Sequence, residues 1–181
     1  DDVAGSFQAV WYLLQHGYRK IFFLNASEHL WSAQQRLLGY QRALEKAGIP
    51  LDPQWVHGCT PSLQSSYETT LKIMRTALDR QDAPDGLFVF SDYMALGAIK
   101  ALRELGLRIP EDIGIMGYDG IDIGEMVAPA LSTVRIAKRR LGREAIRRLL
   151  DYIEDNPMAQ QRGLETILQP ELVIRQSTPS R

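Results

Sequence analysis

Short apolar runs rich in β-forming residues alternate along this chain with longer amphipathic segments. Each of these runs follows a segment whose apolar residues recur at spacings of three and four, the periodicity of an amphipathic helix. The runs are Lys20 to Leu24, Gln54 to His57, Gly86 to Phe90 and Ile113 to Met116. Strands of about five residues that alternate with helices of about 12 to 16 predict parallel βαβ units in one sheet covered by helices on both faces. The predicted fold class is α/β.

The pattern changes after Asp119. A short strand-like stretch, Ser132 to Arg135, leads to a predicted helix from Lys138 to Glu154, which Asn156-Pro157 ends. Two closing β-like segments follow, Glu165 to Leu168 and Glu171 to Arg175.

The predicted helix from Lys138 is strongly basic. Its region contains Arg135, Lys138, Arg139, Arg140, Arg143, Arg147 and Arg148. Such a cluster can mark a nucleic-acid patch, but aromatic residues do not interleave with it. An apolar stripe is expected to be buried, which leaves the charges on the solvent side and favours a solvated helix face. The stripe consists of Leu141, Ala145, Leu149 and Ile153.

Composition excludes several classes of protein. The 181 residues are 45% hydrophobic and 24% charged, as in ordinary globular proteins, and the net charge of -1 creates no field that gathers nucleic acid or anionic membrane. Apolar runs fall far short of the ~20 residues that span a bilayer, so no membrane partner is expected. Cys59 is the only cysteine, and residues 1 to 5 lack the features of a secretory signal. We therefore expect a cytoplasmic protein.

Metal and thiol chemistry are poorly supported. His16, His29 and His57 fall on different predicted elements without the spacing of a zinc site. Cys59 and His57 are two residues apart on a strand, so a nucleophile and base pair could meet there, but an inert buried cysteine is favoured. We expect no metal and no catalytic residue.

A dinucleotide cofactor is also not expected. Gly114, Gly117 and Gly120 follow a G-x-x-G-x-x-G spacing, which differs from the dinucleotide fingerprint G-x-G-x-x-G. The sequence therefore predicts no cofactor.

Polar groups follow two of the predicted strands. Ser91 and Asp92 come after Phe90, and Asp119 comes after the run that ends in Met116-Gly117-Tyr118. In open α/β sheets, ligands bind at the carboxyl ends of strands. Ser91 and Asp92 could instead cap the following helix, and for Asp92 capping is favoured.

An aromatic residue precedes the second predicted helix. Trp31 stands next to Ser32, the expected cap. An indole there could stack on a sugar ring or a base, or it could pack as a hydrophobic staple against Arg36 or Leu37. Both alternatives remain open from the sequence.

Several segments of the chain form a recognisable series: Phe23-Leu24, Glu28 to Leu30, Arg36 to Tyr40 (RLLGY), Phe90 to Ala98 (FSDYMALGA), Gly106 to Ile113 (GLRIPEDI), Met116 to Asp119 (MGYD), Pro129 to Val134 (PALSTV) and Pro170 to Arg175 (PELVIR). In their order and spacing these segments resemble the lactose-repressor and purine-repressor family of transcription regulators, and the resemblance extends over essentially the whole chain.

The resemblance implies a domain organisation. In that family a helix-turn-helix domain precedes a two-lobed core like that of periplasmic sugar-binding proteins, and the chain crosses between the lobes. Residues 1–134 would form the C-terminal lobe, 135–163 a helix returning to the N-terminal lobe, and 164–181 the closing strands of the C-terminal lobe and a tail. Most of the N-terminal lobe and the DNA-binding domain would then lie outside this sequence.

The resemblance also implies a site for a small polar effector in the cleft between the lobes. The ligand-binding residues carried over from the family are Asp1, Trp31, Ser32, Arg36, Thr60, Ser91 and Asp119. The chain departs from the family at Ser91, where Asn is frequent, near Thr60-Pro61, where an aromatic is frequent, and at Ile136, where some sugar-responsive members have Gln.

The expected function is that of an effector-sensing domain that binds a small metabolite, such as a sugar, and controls operator DNA through the absent helix-turn-helix domain. As it stands, the chain should not bind specific DNA. A homodimer is expected through a surface that includes Leu96, Met126 and Val127. The alternatives are a secreted sugar-binding protein of a transport system and an α/β enzyme that uses Asp119 or Cys59.

Overall fold

The computed structural model describes residues 1–153 and 165–178. The helices are α1 (Asp2–Gln15), α2 (Trp31–Lys46), α3 (Leu63–Asp79), α4 (Asp92–Glu104), α5 (Ile123–Met126) and α6 (Lys138–Ile153). The strands are β1 (Ile21–Ala26), β2 (Val56–Cys59), β3 (Gly86–Val89), β4 (Gly114–Asp119), β5 (Ser132–Arg135) and β6 (Glu171–Val173). A 3-10 helix, Pro53–Trp55, precedes β2.

The strands form one six-stranded sheet in the order β2-β1-β3-β4-β5-β6. The neighbours from β2 through β5 pair in parallel, and β6 runs antiparallel along the edge of β5. The predicted α/β class and the mostly parallel sheet are confirmed. The carboxyl ends of β1, β3, β4 and β5 therefore open on one edge of the sheet, where polar side chains can meet.

Both faces of the sheet are covered, which explains why the strand sequences are apolar without alternation. On β1, Phe22 and Leu24 pack into a core cluster that includes Met94 of α4. Phe23 packs on the other face, in a cluster with Leu13 of α1 and residues of α2. The sheet is therefore sandwiched between the pair α1 and α2 and the pair α3 and α4, as the sequence predicts.

Local signals set the helix ends. Ser62 and Ser91 accept hydrogen bonds from the backbone N–H groups of Ser65 and Met94, which caps α3 and α4. Gly106 follows α4 with a φ of 74°, a left-handed conformation that suits glycine. The prediction that Asp92 caps α4 is wrong, because Ser91 supplies the cap and Asp92 is the first helical residue.

Two predicted strand boundaries differ from the structure. Pro53–Trp55 forms a 3-10 helix, capped by Asp52, so β2 begins only at Val56. The segment Glu165 to Leu168 forms no strand. The edge of β5 is already occupied by β6, so this segment does not pair with β5.

The apolar stripe of α6 is exposed, contrary to the prediction that it is buried. No residue of α6 is buried, and Leu149 and Ile153 are 59% and 66% exposed. The reason is that no large surface of the described residues packs against this helix. In residues 1–153 and 165–178, no helix has the length and apolar character needed to cross a membrane.

The end of the described chain is tied into the sheet. Ser177 is fully buried, its carbonyl accepts from the backbone N–H of Ile115 at 2.9 Å, and its hydroxyl accepts from the N–H of Ser132 at 2.8 Å. The Tyr12 hydroxyl donates to the carbonyl of Thr178 at 3.1 Å. Residues 171–178 are therefore an integral part of the structure built around the sheet.

The predicted domain boundary at residue 163, the helix end at Glu154 and Asn156-Pro157, and the tail from 179 to 181 lie outside the described residues.

Candidate ligand-binding site

Arg36, on the second turn of α2, is the centre of a polar cluster at the carboxyl edge of the sheet. Its side chain is buried, with only 7% of its surface exposed. Its Nε donates to Oδ1 of Asp2 at 2.9 Å, and Nη2 lies 3.5 Å from Oδ1 of Asp119. Its Nη1 donates to the backbone carbonyl of Phe90, which follows β3. One guanidinium thus joins α1, α2, β3 and β4.

Two aromatic rings hold the guanidinium in place. Its central carbon lies 3.7 Å from the ring centroid of Tyr118 and 4.3 Å from that of Phe90. These cation–π contacts with both rings, together with the hydrogen bonds, fix the planar fork of Arg36 before any ligand arrives.

Burial raises the pKa values of two side chains that contact Arg36, the carboxyl group of Asp119 and the phenol of Tyr118. Burial raises the pKa of Asp119, and the positive charges of Arg36 and Lys138 oppose that rise. Burial, assisted by the Asp2 carboxylate, also raises the pKa of Tyr118. Tyr118 therefore remains a neutral phenol at neutral pH and can donate a hydrogen bond.

A cleft of about 430 Å³ lies beside this cluster. Its walls come from the starts of α1 and α2, from Tyr118, from Ile136 and Ala137 after β5, from Leu141 of α6 and from residues 165–170. The volume suits a small metabolite, and the mixture of apolar walls with a few charged groups is typical of ligand sites.

The structure brings some of the predicted site residues together and separates others. Asp1, Trp31 and Arg36 line the cleft, and Asp119 contacts Arg36. Trp31 is 68% exposed, as expected of an indole available for stacking. Four of the predicted residues do not line the cleft: Ser32, Thr60, Ser91 and Asp119, of which Asp119 contacts the cleft residue Arg36. Thr60 is exposed after β2, and Ser91 is occupied as the α4 cap. All seven ligand contacts stay predictions.

Sequence reasoning missed Asp2 and Tyr118. Asp1 caps α1, its Oδ1 accepting from the N–H of Ala4 at 2.9 Å, so it is Asp2 that reaches Arg36. The signal for Tyr118 was present, because it lies in the segment MGYD next to Asp119.

The residues considered for thiol and metal chemistry are in contact with neighbouring groups of the protein. Burial raises the pKa of the Cys59 thiol, against the effect of hydrogen bonds from Ser65 and Thr69. The His57 ring bonds to the carbonyl of Gln54 at 2.8 Å. Among the described residues, no group of three or more His, Cys, Asp or Glu side chains could hold a metal ion.

The two glycines of β4 stand where neighbouring side chains leave no room for a Cβ. A Cβ on Gly114 would lie 2.5 Å from the Tyr18 ring, and one on Gly117 would lie 2.2 Å from Oδ1 of Asp92.

The sequence matches the periplasmic binding protein-like domain family over residues 10–178. The chain belongs to this family. It is 38% identical over 175 residues to the HTH-type transcriptional repressor PurR of Vibrio vulnificus, covering 94% of this chain and 49% of the relative. It is 34% identical over 178 residues to the repressor CytR of Escherichia coli K12, covering 98% of this chain and 50% of the relative.

Solved structures of the same family agree. A LacI-family transcriptional regulator from Enterococcus faecium with bound ribose superposes with a TM-score of 0.87 at 30% identity, covering 100% of this chain and 64% of that one. The resemblance to the lactose-repressor and purine-repressor family is confirmed, and the fold is that of its effector-binding core. The chain spans about half the length of the curated relatives it matches.

Proposed function

We propose that this chain is the effector-sensing part of a bacterial transcription regulator, in which a small polar metabolite controls operator binding by a helix-turn-helix domain. The relatives PurR and CytR are named as HTH-type repressors, which supports a regulator and disfavours both an enzyme and a secreted transport protein. Such a regulator acts in the cytoplasm.

The observation that carries the proposal is the preorganised Arg36 beside the cleft. The guanidinium of Arg36 supplies hydrogen-bond donors, and the carboxylates of Asp2 and Asp119 supply acceptors, all in fixed positions. A ligand with adjacent hydroxyl groups or ring nitrogens can bond to donors and acceptors at the same time. The effector-binding role therefore rests on a rigid polar cluster at the edge of the sheet where ligands of α/β folds bind.

The charges of the cleft favour an uncharged effector. Asp1, Asp2 and Glu165 line it with carboxylates, whereas Arg36 is already engaged by Asp2 and Asp119. A phosphate or carboxylate would meet this excess of negative charge at short range. We infer a neutral ligand rich in hydroxyls, such as a sugar or a nucleoside.

The exposed apolar face of α6 supports the proposed division of the chain. Residues 1–134 and 164–181 would form the C-terminal lobe, and 135–163 would return to an N-terminal lobe that covers Leu149 and Ile153. Exposed apolar surface of this kind marks an interface. Closure of the two lobes on the effector would transmit binding to the DNA-binding domain.

The proposed regulator is a homodimer. Met126 of the expected pairing surface is 85% exposed, while Leu96 and Val127 are half-buried. An exposed methionine with partly accessible apolar neighbours suits a contact between two copies.

A thermal-shift screen of the full-length protein tests the effector class. We expect neutral monosaccharides, nucleosides or nucleobases to raise the melting temperature, and their phosphorylated counterparts to have little effect, because a ligand that binds only the folded state stabilises it. Any hit is then titrated calorimetrically into Arg36→Lys and into Arg75→Lys, a control at an exposed arginine of α3. Stabilisation by phosphorylated compounds alone would refute the neutral ligand, and equal affinity in both variants would refute the site.

A further inference from the structure

A buried carboxylate lies directly behind the turn that follows Asp119. Asp92, at the start of α4, is 0% exposed. Its Oδ1 accepts from the Thr133 hydroxyl at 2.6 Å, and its Oδ2 accepts from the backbone N–H of Ile121 at 2.8 Å. An uncompensated carboxylate would be costly at this depth, so both hydrogen bonds are needed to keep it there.

The turn itself has an unfavourable backbone conformation. Asp119 has a φ of 103° and Gly120 a φ of 64°. A non-glycine residue in that region is strained and persists only where its surroundings enforce it. The N–H of Gly120 donates to the Thr133 hydroxyl oxygen at 3.3 Å, and the N–H of Ile121 donates to Asp92. The two amides after Asp119 are therefore both anchored by the same pair of side chains.

The strand before the turn is shaped around this carboxylate. A Cβ on Gly117 of β4 would lie 2.2 Å from Oδ1 of Asp92, so the carboxylate occupies space that any other residue would fill. Thr133 lies on β5, next to β4 in the sheet. The turn after Asp119, strand β4 at Gly117 and strand β5 at Thr133 therefore all contact Asp92.

We propose that Asp92 is a positioning residue of the effector site, which holds the turn at residues 119–121 so that the Asp119 carboxylate faces Arg36. Asp92 is not among the residues lining the cleft, and it acts only through Asp119 and the two backbone amides. That Asp119 serves an effector rests on the proposed function, whereas the clamp on the turn does not.

The charge state of Asp92 gives the clamp a signature. Burial raises its pKa to about 6, the bonds from Thr133, Ile121 and Gly120 oppose that rise, and the negative charge of Asp119 adds to it. At pH 7 the carboxylate is ionised and accepts both hydrogen bonds. Below pH 6 one oxygen gains a proton, and the electronic environment of the Ile121 amide that donates to this carboxyl group changes with it.

Nuclear magnetic resonance of the full-length protein without ligand tests the clamp, using ¹⁵N-isoleucine and ¹³C-aspartate labels. In the wild type, the Ile121 amide signal should move with a midpoint near 6. In Asp92→Asn that titration should vanish, while slow exchange of the Ile121 amide is retained because the amide oxygen still accepts its hydrogen bond. In Asp92→Ala, hydrogen exchange of the Ile121 amide should become about tenfold faster or more. The pKa of Asp119, followed by the ¹³C signal of its carboxyl group, should fall.

Two further variants separate positioning from general loss of stability. Thr133→Val removes the other half of the clamp with a smaller perturbation, and should reproduce the Asp92→Ala changes even where Asp92→Ala does not fold. Ser62→Ala removes the cap of α3, far from the turn, and should leave the Ile121 and Asp119 signals as in the wild type. If Thr133→Val and the Ser62 variant give the same Ile121 exchange and Asp119 titration, the proposal is wrong. Because no ligand is used, this outcome is independent of the effector.

Discussion

The guanidinium of Arg36 lies over the ring of Tyr118, with its central carbon 3.7 Å from the ring centroid. This contact connects the second turn of α2 to the end of β4, and the same guanidinium is bonded to Asp2 of α1. The residue that we expect to touch the effector is therefore also a contact between three elements of the lobe. Binding and folding cannot be separated at this position.

Arg36→Ala should lower the stability of the protein as well as its affinity for the effector. The change leaves Asp2 and Asp119 without their cation in a partly buried site, which costs roughly 3 kcal/mol of unfolding free energy by the usual penalty for a broken buried pair. Urea denaturation measures it, with Arg75→Ala on the exposed surface of α3 as the control. A loss no larger than that of the control would show that Arg36 has no structural role.

Asp119→Asn should reduce effector affinity while leaving stability nearly unchanged. The amide preserves the size of the side chain and one acceptor, and burial already disfavours the charged form of Asp119. Loss of a charge-assisted hydrogen bond to the effector corresponds to roughly 2 kcal/mol, or about 30-fold in affinity. Calorimetry with the screened ligand measures it, and wild-type affinity would remove Asp119 from the site.

The raised pKa of Asp92 should make stability depend on pH. Its pKa is about 6 in the folded chain, against an ordinary value of 3.8, so between these values the folded state holds a proton that the unfolded state has lost. The contribution of Asp92 to stability is therefore greatest below pH 4 and falls as pH rises from 4 to 6.

Asp92→Asn lacks this titration. Between about pH 4.5 and pH 7.5, its unfolding free energy should rise relative to that of the wild type by roughly 1 to 3 kcal/mol. Urea unfolding at several pH values measures the difference, and parallel curves for the two proteins would contradict the assignment.

Gly117→Ala should destabilise the protein, whereas Gly142→Ala should not. A Cβ at residue 117 would lie 2.2 Å from the buried Asp92 carboxylate, and one at residue 142 on α6 would meet nothing within 4 Å. We expect a loss of about 1 to 3 kcal/mol for the first from overpacking and a gain of up to about 1 kcal/mol for the second from helix propensity. Thermal unfolding of both variants checks the contrast.

The amides of α6 should exchange with solvent much faster than those of α4 in this 181-residue chain. No residue of α6 is buried, and a helix of 16 residues without packing is marginal in water. Hydrogen exchange followed by mass spectrometry tests this, with α4, whose Met94 and Leu102 are fully buried, as the internal reference. Equal protection in the two helices would show that α6 is held by contacts beyond those described.

The sequence predicted the sheet and its layers because periodicity reports burial directly. The run Ile21 to Leu24 is apolar on both faces, and the structure buries it on both faces. Periodicity could not separate the 3-10 turn at Pro53–Trp55 from β2, because a few residues carry too short a pattern. Periodicity predicted the position of α6 correctly but not its exposure, because an apolar stripe is buried only where another surface packs against it.

The site was predicted less completely than the fold. Arg36 and Asp119 were identified from segments that resemble a known family, and the structure brings them to 3.5 Å. Asp2 was missed because the sequence does not show in which direction each of the adjacent side chains Asp1 and Asp2 points. The start of α1 determines this, since Asp1 caps the helix and Asp2 reaches Arg36. Asp92 was assigned to a cap because its true partners, Ile121 and Thr133, are 29 and 41 residues away in sequence.

The antiparallel strand β6 has a consequence for how the protein is made. Ser177 is buried beside Ile115 and Ser132, so the sheet lacks part of its core until residue 177 has left the ribosome. Nascent chains paused before residue 171 would display β5 as an open edge with unpaired backbone groups, a template for pairing with other chains. The sheet is therefore completed only when residues 171–178 have been synthesised, and a premature stop just before residue 171 would leave the edge of β5 exposed although the five strands before it are intact.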